Sequence, residues 1–172
     1  VHIRETGNGR IELRNSVPYL PCDSSNLAYR AAEAFFAAAD IRNPGIRITI
    51  DKVIPVCAGM AGGSADAAAV LRMLNKAAGF PLSEERLLDT AAQIGADVPF
   101  CLVGGTKLCR GIGEQLSEFP GLPAVEYVVV KPEFSCPTGE AYRRYDEAPV
   151  EPRGGLEHFR NNFPEGMYNV FQ

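Results

Sequence analysis

Residues 55 to 66 read Pro55-Val56-Cys57-Ala58-Gly59-Met60-Ala61-Gly62-Gly63-Ser64-Ala65-Asp66, and no other stretch restricts the chain so tightly. Gly59, Gly62 and Gly63 lie between an alternating run, Ile46 to Ile50, and a run of small residues from Ala65 onward. Glycine admits positive φ and lets a bulky group come close to the backbone. The first amides of the helix that follows are unpaired and carry partial positive charge. Loop and helix together make an anion site, and phosphate is the anion most often bound this way. Ala65 stands where a Walker A motif would close its Gly-Lys-Ser/Thr ending. The glycine spacing does not fit a dinucleotide fingerprint, and no acidic residue ends a second strand about 20 positions on. Read on its own, the loop is equally a tight strand-to-helix turn whose glycines serve packing.

The rest of the chain supplies the frame. Val1 to Glu5 and Arg10 to Arg14 alternate around Gly7-Asn8-Gly9, which predicts a hairpin. Asp23-Ser24-Ser25 offers N-caps for a helix whose apolar positions run from Leu27 to about Ala39. Ile46, Ile48 and Ile50 predict a half-buried strand delivering the chain to Pro55. Ala67, Val70, Leu71, Leu74 and Ala78 mark one face of the next helix, with Arg72 and Lys76 toward solvent and Gly79 as its stop. Ser83, with Glu84 and Glu85 behind it, starts a helix that ends at Gly95. Phe100 to Val103 and Gly105 to Arg110 read as short strands, and Val125 to Lys131 as another. Thr138 is expected to cap a helix to about Tyr145. Leu156 to Asn161 and Glu165 to Phe171 are expected to be short helices. Hairpins mixed with helices, without strict alternation, indicate an α+β fold.

Charge and cysteines narrow the function classes. The net charge is -4, with no Lys/Arg stripe, which argues against nucleic acid or an anionic membrane as partner. No apolar run approaches a membrane span, and no stretch has the make-up of a signal peptide. The five cysteines, Cys22, Cys57, Cys101, Cys109 and Cys136, form no Cys-x2-Cys pair. They read as buried free thiols in a reducing cytoplasm rather than as metal ligands.

Several side chains are candidates for chemistry. Asp97 sits at what reads as a helix-to-strand turn, beside Val98 and Phe100. A carboxylate among apolar neighbours is costly unless paired or used, although a turn-capping role accounts for it too. Ser64 can cap its helix or reach a phosphate. Asp66 reads as a surface residue facing away, since a carboxylate would repel phosphate. Asn26 begins the first helix. His2 and His158 read as surface residues.

The pattern Pro-x3-Gly-x2-Gly-Gly-Ser-x-Asp-Ala-Ala, then Ile94-Gly95-Ala96-Asp97-Val98-Pro99-Phe100, Gly104-Gly105-Thr106 and Gly111-Ile112-Gly113-Glu114, resembles the GHMP kinases through most of the chain. The resemblance implies a two-domain α+β fold. Residues 1–122 would be the ATP-binding N-terminal domain, built like ribosomal small-subunit protein five and lacking its first strands. Residues 123–172 would open a ferredoxin-like C-terminal domain. It implies that Pro55, Val56, Cys57, Ala58, Gly59, Met60, Ala61, Gly62, Gly63, Ser64 and Ala65 hold the ATP phosphates, with Mg²⁺ accompanying ATP. It further implies that Asn26 meets the adenine, that Asp97 is catalytic and substrate-facing, and that Thr138 lies near the substrate. The branch it points to acts on 4-diphosphocytidyl-2-C-methyl-D-erythritol in non-mevalonate isoprenoid synthesis, in a cytoplasmic monomer or homodimer.

The departures from that pattern are specific. Met60, Ala61 and Ala65 stand where the family has Leu, Gly and Ser. Ala61 matters if the position needs positive φ, and Ala65 removes a possible hydroxyl contact. The family's N-terminal lysine, its Gly-Tyr-His segment and its last glycine loop do not occur in these residues. The surroundings of Lys52, Lys107 and Lys131 do not match that lysine. Both ends read as cut. The alternatives are another GHMP kinase, acting on homoserine, mevalonate or a sugar, and a nucleotide-binding module without turnover.

Overall fold

Ile46, Ile48 and Ile50 are all buried, while Arg47 and Thr49 between them face outward. That alternation makes their strand β3 (Ile46–Ile50) the one with most to gain from neighbours on both sides. In the computed structural model, which describes residues 1–124, 126–133, 137–149 and 155–167, β3 is indeed central. On one side it pairs antiparallel with β1 (His2–Glu5), and on the other parallel with β2 (Ile11–Asn15).

The predicted hairpin is therefore split. β1 and β2 do not pair; β3 lies between them in the order β1-β3-β2. The Gly7-Asn8-Gly9 turn instead meets the turn before β3. Thr6 and Gly9 donate to the carbonyls of Gly45 and Pro44, and the Ile46 amide donates to Arg10. Gly45 has φ +96, and a Cβ there would lie 2.5 Å from the Asn8 and Gly9 amide nitrogens, so only glycine fits this crossing of turns. Ile3, Ile48 and Leu13 form a row across the three strands on the covered face. On the other face Arg47 pairs with Glu12 at 2.6 Å, and the bond to the guanidinium holds the Glu12 carboxyl below its ordinary range.

Helices cover the apolar face of this sheet. α1 (Leu27–Ala39) buries Ala28, Ala31, Ala32 and Phe35, and α2 (Gly62–Ala77) buries Ala67, Ala68, Val70 and Leu71. Alanines on both surfaces let the two helices approach closely. Burying Phe35 alone is worth about 1.5–3 kcal/mol. α3 (Glu84–Ile94) starts on Ser83 and ends at Gly95 as expected. Asn75 joins α2 to the segment before α3 through a reciprocal buried pair with the Leu82 amide and carbonyl, at 3.0 and 3.1 Å.

Two expected strands are not strands. Residues 98–103 form a short helix, α4 (Val98–Val103), with Pro99 in its first turn, where proline is favoured. The strands of the second sheet are β4 (Lys107–Arg110) and β5 (Gln115–Glu118), an antiparallel pair turned at Gly111–Glu114. Val125 lies outside the described residues. The rest of the expected strand has no ladder among the described residues, and Tyr127, Val128, Val129 and Val130 are exposed. Without a partner strand, the backbone of this exposed run is left to water.

Residues Val1–Val56 and Met60–Val129 form one compact unit; Cys57–Gly59 group with the described residues from Val130 onward. In the second group, α5 (Thr138–Glu147) carries the ion pairs Arg143–Glu147 and Arg144–Glu140 along its surface. Pro137, not Thr138, occupies its N-cap; Thr138 is the first helical residue. α6 (Leu156–Asn161) follows where expected, whereas the helix expected over 165–171 lies mostly outside the described residues. No described helix is long and apolar enough to cross a membrane. Cys22, Cys57 and Cys109 are free but exposed, so the expectation of buried thiols fails for them, and Cys136 lies outside the described residues.

Candidate active site

The site is built where β3 hands the chain to α2. Past Ile50, the Lys52 amide donates to Ser16 Oγ at 2.8 Å, tying the exit of β3 to the end of β2. The loop then takes left-handed backbone at Cys57, Gly59 and Ala61, with φ +55, +66 and +49. Ala61 is the N-cap of α2. The condition attached to Ala61 from sequence is thus met: a residue with a Cβ occupies a position that favours glycine, at a cost of about 1 kcal/mol.

The first turn of α2 is bare. No side chain caps it and no acidic residue lies in that turn. Gly62 faces inward, and a Cβ there would lie 2.9 Å from Lys52 Nζ and 3.0 Å from Ile54 Cγ2. Gly63 faces outward and is exposed, with Leu27 Cδ1 as its nearest neighbour at 3.6 Å from an added Cβ. Ser64 is buried in the same turn. The Ala65 amide closes the turn on the Ala61 carbonyl at 2.9 Å. The amides before it have no intrahelical acceptor, as at any helix start.

Leu27 is also the first residue of α1, so the starts of α1 and α2 meet. Asn26 is therefore beside the glycine turn. It, rather than Asp23, Ser24 or Ser25, is the N-cap of α1: its Oδ1 accepts from the Ala28 amide, and its Nδ2 donates to Pro21 O, both at 2.9 Å. Asp23 instead folds the segment ahead of the helix, accepting from the Ser25 amide and hydroxyl, which hold its carboxyl low.

Asp66 departs from its sequence reading. It does not face away; its Oδ2 lies 2.5 Å from Lys52 Nζ, with side chains 18% and 6% exposed. The two are 14 positions apart, with no local pattern that could have announced the pair.

Asp97 occupies the N-cap position of α4 at φ -85, ψ -10, and its side chain makes no capping bond. It is exposed, so the cost argument drawn from its apolar neighbours does not hold, and neither does the capping alternative. Two neighbours face it. Cys101, one turn on, has its thiol pushed up by burial first and by the Asp97 charge second. Gly113, in the β4–β5 turn, would place a Cβ 3.7 Å from Asp97 Oδ1. Sequence reasoning singled out Gly111-Ile112-Gly113-Glu114 but gave it no place in the site. Its glycine spacing was the available signal. Glu114 folds this turn by accepting from the Ile112 amide at 2.8 Å. α4 packs on α2, with Arg72 donating to the Leu102 carbonyl. The loop residues Cys57–Gly59 and Thr138 belong to the other group of residues. His2 and His158 are exposed, as expected.

Residues 26–105 match the family described as GHMP kinases N terminal domain. This part of the chain is similar to a GHMP kinase N-terminal domain. The match begins at the Asn26 cap and includes the glycine loop, α2 and Asp97. The chain is 45% identical to the 4-diphosphocytidyl-2-C-methyl-D-erythritol kinase of Clostridium botulinum (strain Eklund 17B / Type B), over 87% of this chain and 53% of that protein. It is 40% identical to the enzyme of the same name from Alkaliphilus metalliredigens (strain QYMF), over 100% of this chain and 62% of that protein. A crystal structure of 4-(cytidine 5'-diphospho)-2C-methyl-D-erythritol kinase has the same fold, at TM-score 0.67 and 30% identity over 98% of this chain and 59% of that one. The chain thus spans little more than half the length of these GHMP relatives.

Proposed function

We propose that the chain forms the nucleotide-binding part of an ATP-dependent kinase that phosphorylates a hydroxyl of 4-diphosphocytidyl-2-C-methyl-D-erythritol. One observation carries the reading: an uncapped helix start with no acid in its first turn, opened by an exposed Gly63 beside the start of α1. A phosphate chain supplies what that start lacks, acceptors for its free amides and negative charge at its positive end. The names of the relatives point to the acceptor. Residues Pro55 to Ala65 hold the phosphates, Asn26 lies at the adenine end, and Thr138 belongs to the substrate side.

Asp97 orients the attacking hydroxyl and takes its proton. Its exposed, uncapped carboxylate is open to a substrate, and Gly113 leaves room above it. Mg²⁺ arrives on ATP and neutralises phosphate charge, as in phosphoryl transfer generally. The chemistry is that of a cytoplasmic biosynthetic enzyme acting on a small molecule.

The test is ATP turnover by the protein on 4-diphosphocytidyl-2-C-methyl-D-erythritol, homoserine, mevalonate and a sugar in parallel. Phosphorylation of the first alone is expected. Preference for another substrate replaces the acceptor, and ATP binding without turnover on any of them favours a binding module. Asp97→Asn should lower turnover by about 10²–10⁴-fold and leave ATP affinity within about twofold. Near-normal turnover removes Asp97 from the mechanism.

A further inference from the structure

We propose that Lys52 and Asp66 are a positioning pair that sets the glycine turn in its phosphate-receiving geometry, an inference that rests on the reading of the loop as the ATP phosphate site. Lys52 is held at both ends. Its amide is fixed to Ser16 Oγ at 2.8 Å and its ammonium to Asp66 Oδ2 at 2.5 Å. The connection therefore runs from the end of β2, through the exit of β3, into the second turn of α2. It crosses directly beneath Gly62, whose missing Cβ is the space that Lys52 Nζ and Ile54 fill.

Gly62 thus has a second reason to be glycine, distinct from any ligand. Its φ is not positive, so backbone conformation does not demand it. The close approach of the ammonium does. A larger residue there would displace the Lys52 ammonium from its place under the first turn of α2 and press on the Ile54 side chain.

The partial burial of the pair supports a geometric role. Desolvating two charges offsets most of their attraction, so a buried ion pair adds little net stability. What it does enforce is a fixed separation between the groups that carry it, because parting them leaves a charge buried and uncompensated. The pair also keeps the Asp66 charge spent on Lys52, so that a carboxylate in the second turn does not repel an incoming phosphate.

Lys52→Met, Asp66→Asn and the double variant test this, with Leu74→Ala, in the far half of α2, as a control for plain destabilisation. MgATP affinity by calorimetry is one readout, and exchange of the Ala65 amide without nucleotide is the other. Each single variant is expected to weaken MgATP binding about tenfold and to speed Ala65 exchange, and the double to match the worse single, since both break one interaction. Leu74→Ala should leave affinity unchanged even where its melting temperature falls as far. Four results would overturn the proposal: unchanged affinity and exchange in both singles; a loss in Lys52→Met with none in Asp66→Asn, which makes Lys52 a direct nucleotide contact; wild-type affinity in the double, which reduces the effect to stray charge; or an equal loss in Leu74→Ala. Should the unsubstituted protein bind no MgATP, the phosphate-site reading fails, and the Ala65 exchange arm still decides whether the pair holds the turn.

Discussion

Helices α2 and α3 lie in the same compact unit and begin in opposite ways. α3 starts on Ser83, whose hydroxyl accepts from the Arg86 amide, and carries Glu84 and Glu85 in its first turn. Its free amides and its positive end are both answered by its own sequence. α2 starts on Ala61 in left-handed backbone, with no side-chain cap and no acid in its first turn. The nearest carboxylate, Asp66, is committed to Lys52. One helix is finished for stability and the other is left open, and the open one carries the glycines. On the proposed reading, a helix start that receives a phosphate is marked by what its own sequence withholds from it.

The contrast can be attacked directly. The largest effect is expected from Gly63→Asp, which gives α2 the acid that α3 already has. Gly63 is exposed, and an added Cβ would meet nothing closer than ordinary contact with Leu27. The helix should gain about 0.3–1 kcal/mol from its dipole. Nucleotide affinity should fall about a thousandfold, since like charges about 4 Å apart repel by roughly 4 kcal/mol near a protein surface. Calorimetry that found affinity undiminished would mean that no phosphate sits at this turn. Next comes Ser83→Ala, expected to cost about 1 kcal/mol in denaturant unfolding while leaving ATP affinity intact. A loss of affinity there would erase the distinction between the two helix starts. The smallest effect is Ala61→Gly, which relieves left-handed strain and should stabilise the protein by somewhat under about 1 kcal/mol, because glycine costs more entropy to order. An unfolding midpoint that moved down instead would show that Ala61 is not strained in solution.

What could be read from the sequence was whatever its neighbours decide. The span of α1, the Ser83 cap, the Gly79 stop and the half-buried β3 all follow from periodicity and turn chemistry within a few residues. The glycine loop was legible because three rare features fell together. The misreadings are long-range. Nothing near Gly7-Asn8-Gly9 reveals that β3 will insert between β1 and β2, because that depends on Gly45 meeting the turn. Asp66 looked like a surface residue because its partner lies on the far side of the loop. Phe100 to Val103 carries the apolar make-up of a strand, yet Pro99 in a first turn and packing on α2 make it part of a helix, overriding propensity. Around Asp97 the sequence supplied the residue, while its neighbours Cys101 and Gly113 emerge only once α4 and the β4–β5 turn are in place.

The split arrangement of β1, β3 and β2 has a consequence for synthesis. On the ribosome, β1 and β2 emerge before the strand that joins them, and their pairing with it must wait until Ile46–Ile50 has cleared the exit tunnel. At about 5–20 residues per second that delay lasts a few seconds, during which α1 can already form from local contacts. The nascent helix therefore precedes the sheet it will cover; the arrival of β3 joins the sheet, and the core closes once α2 and α3 have followed.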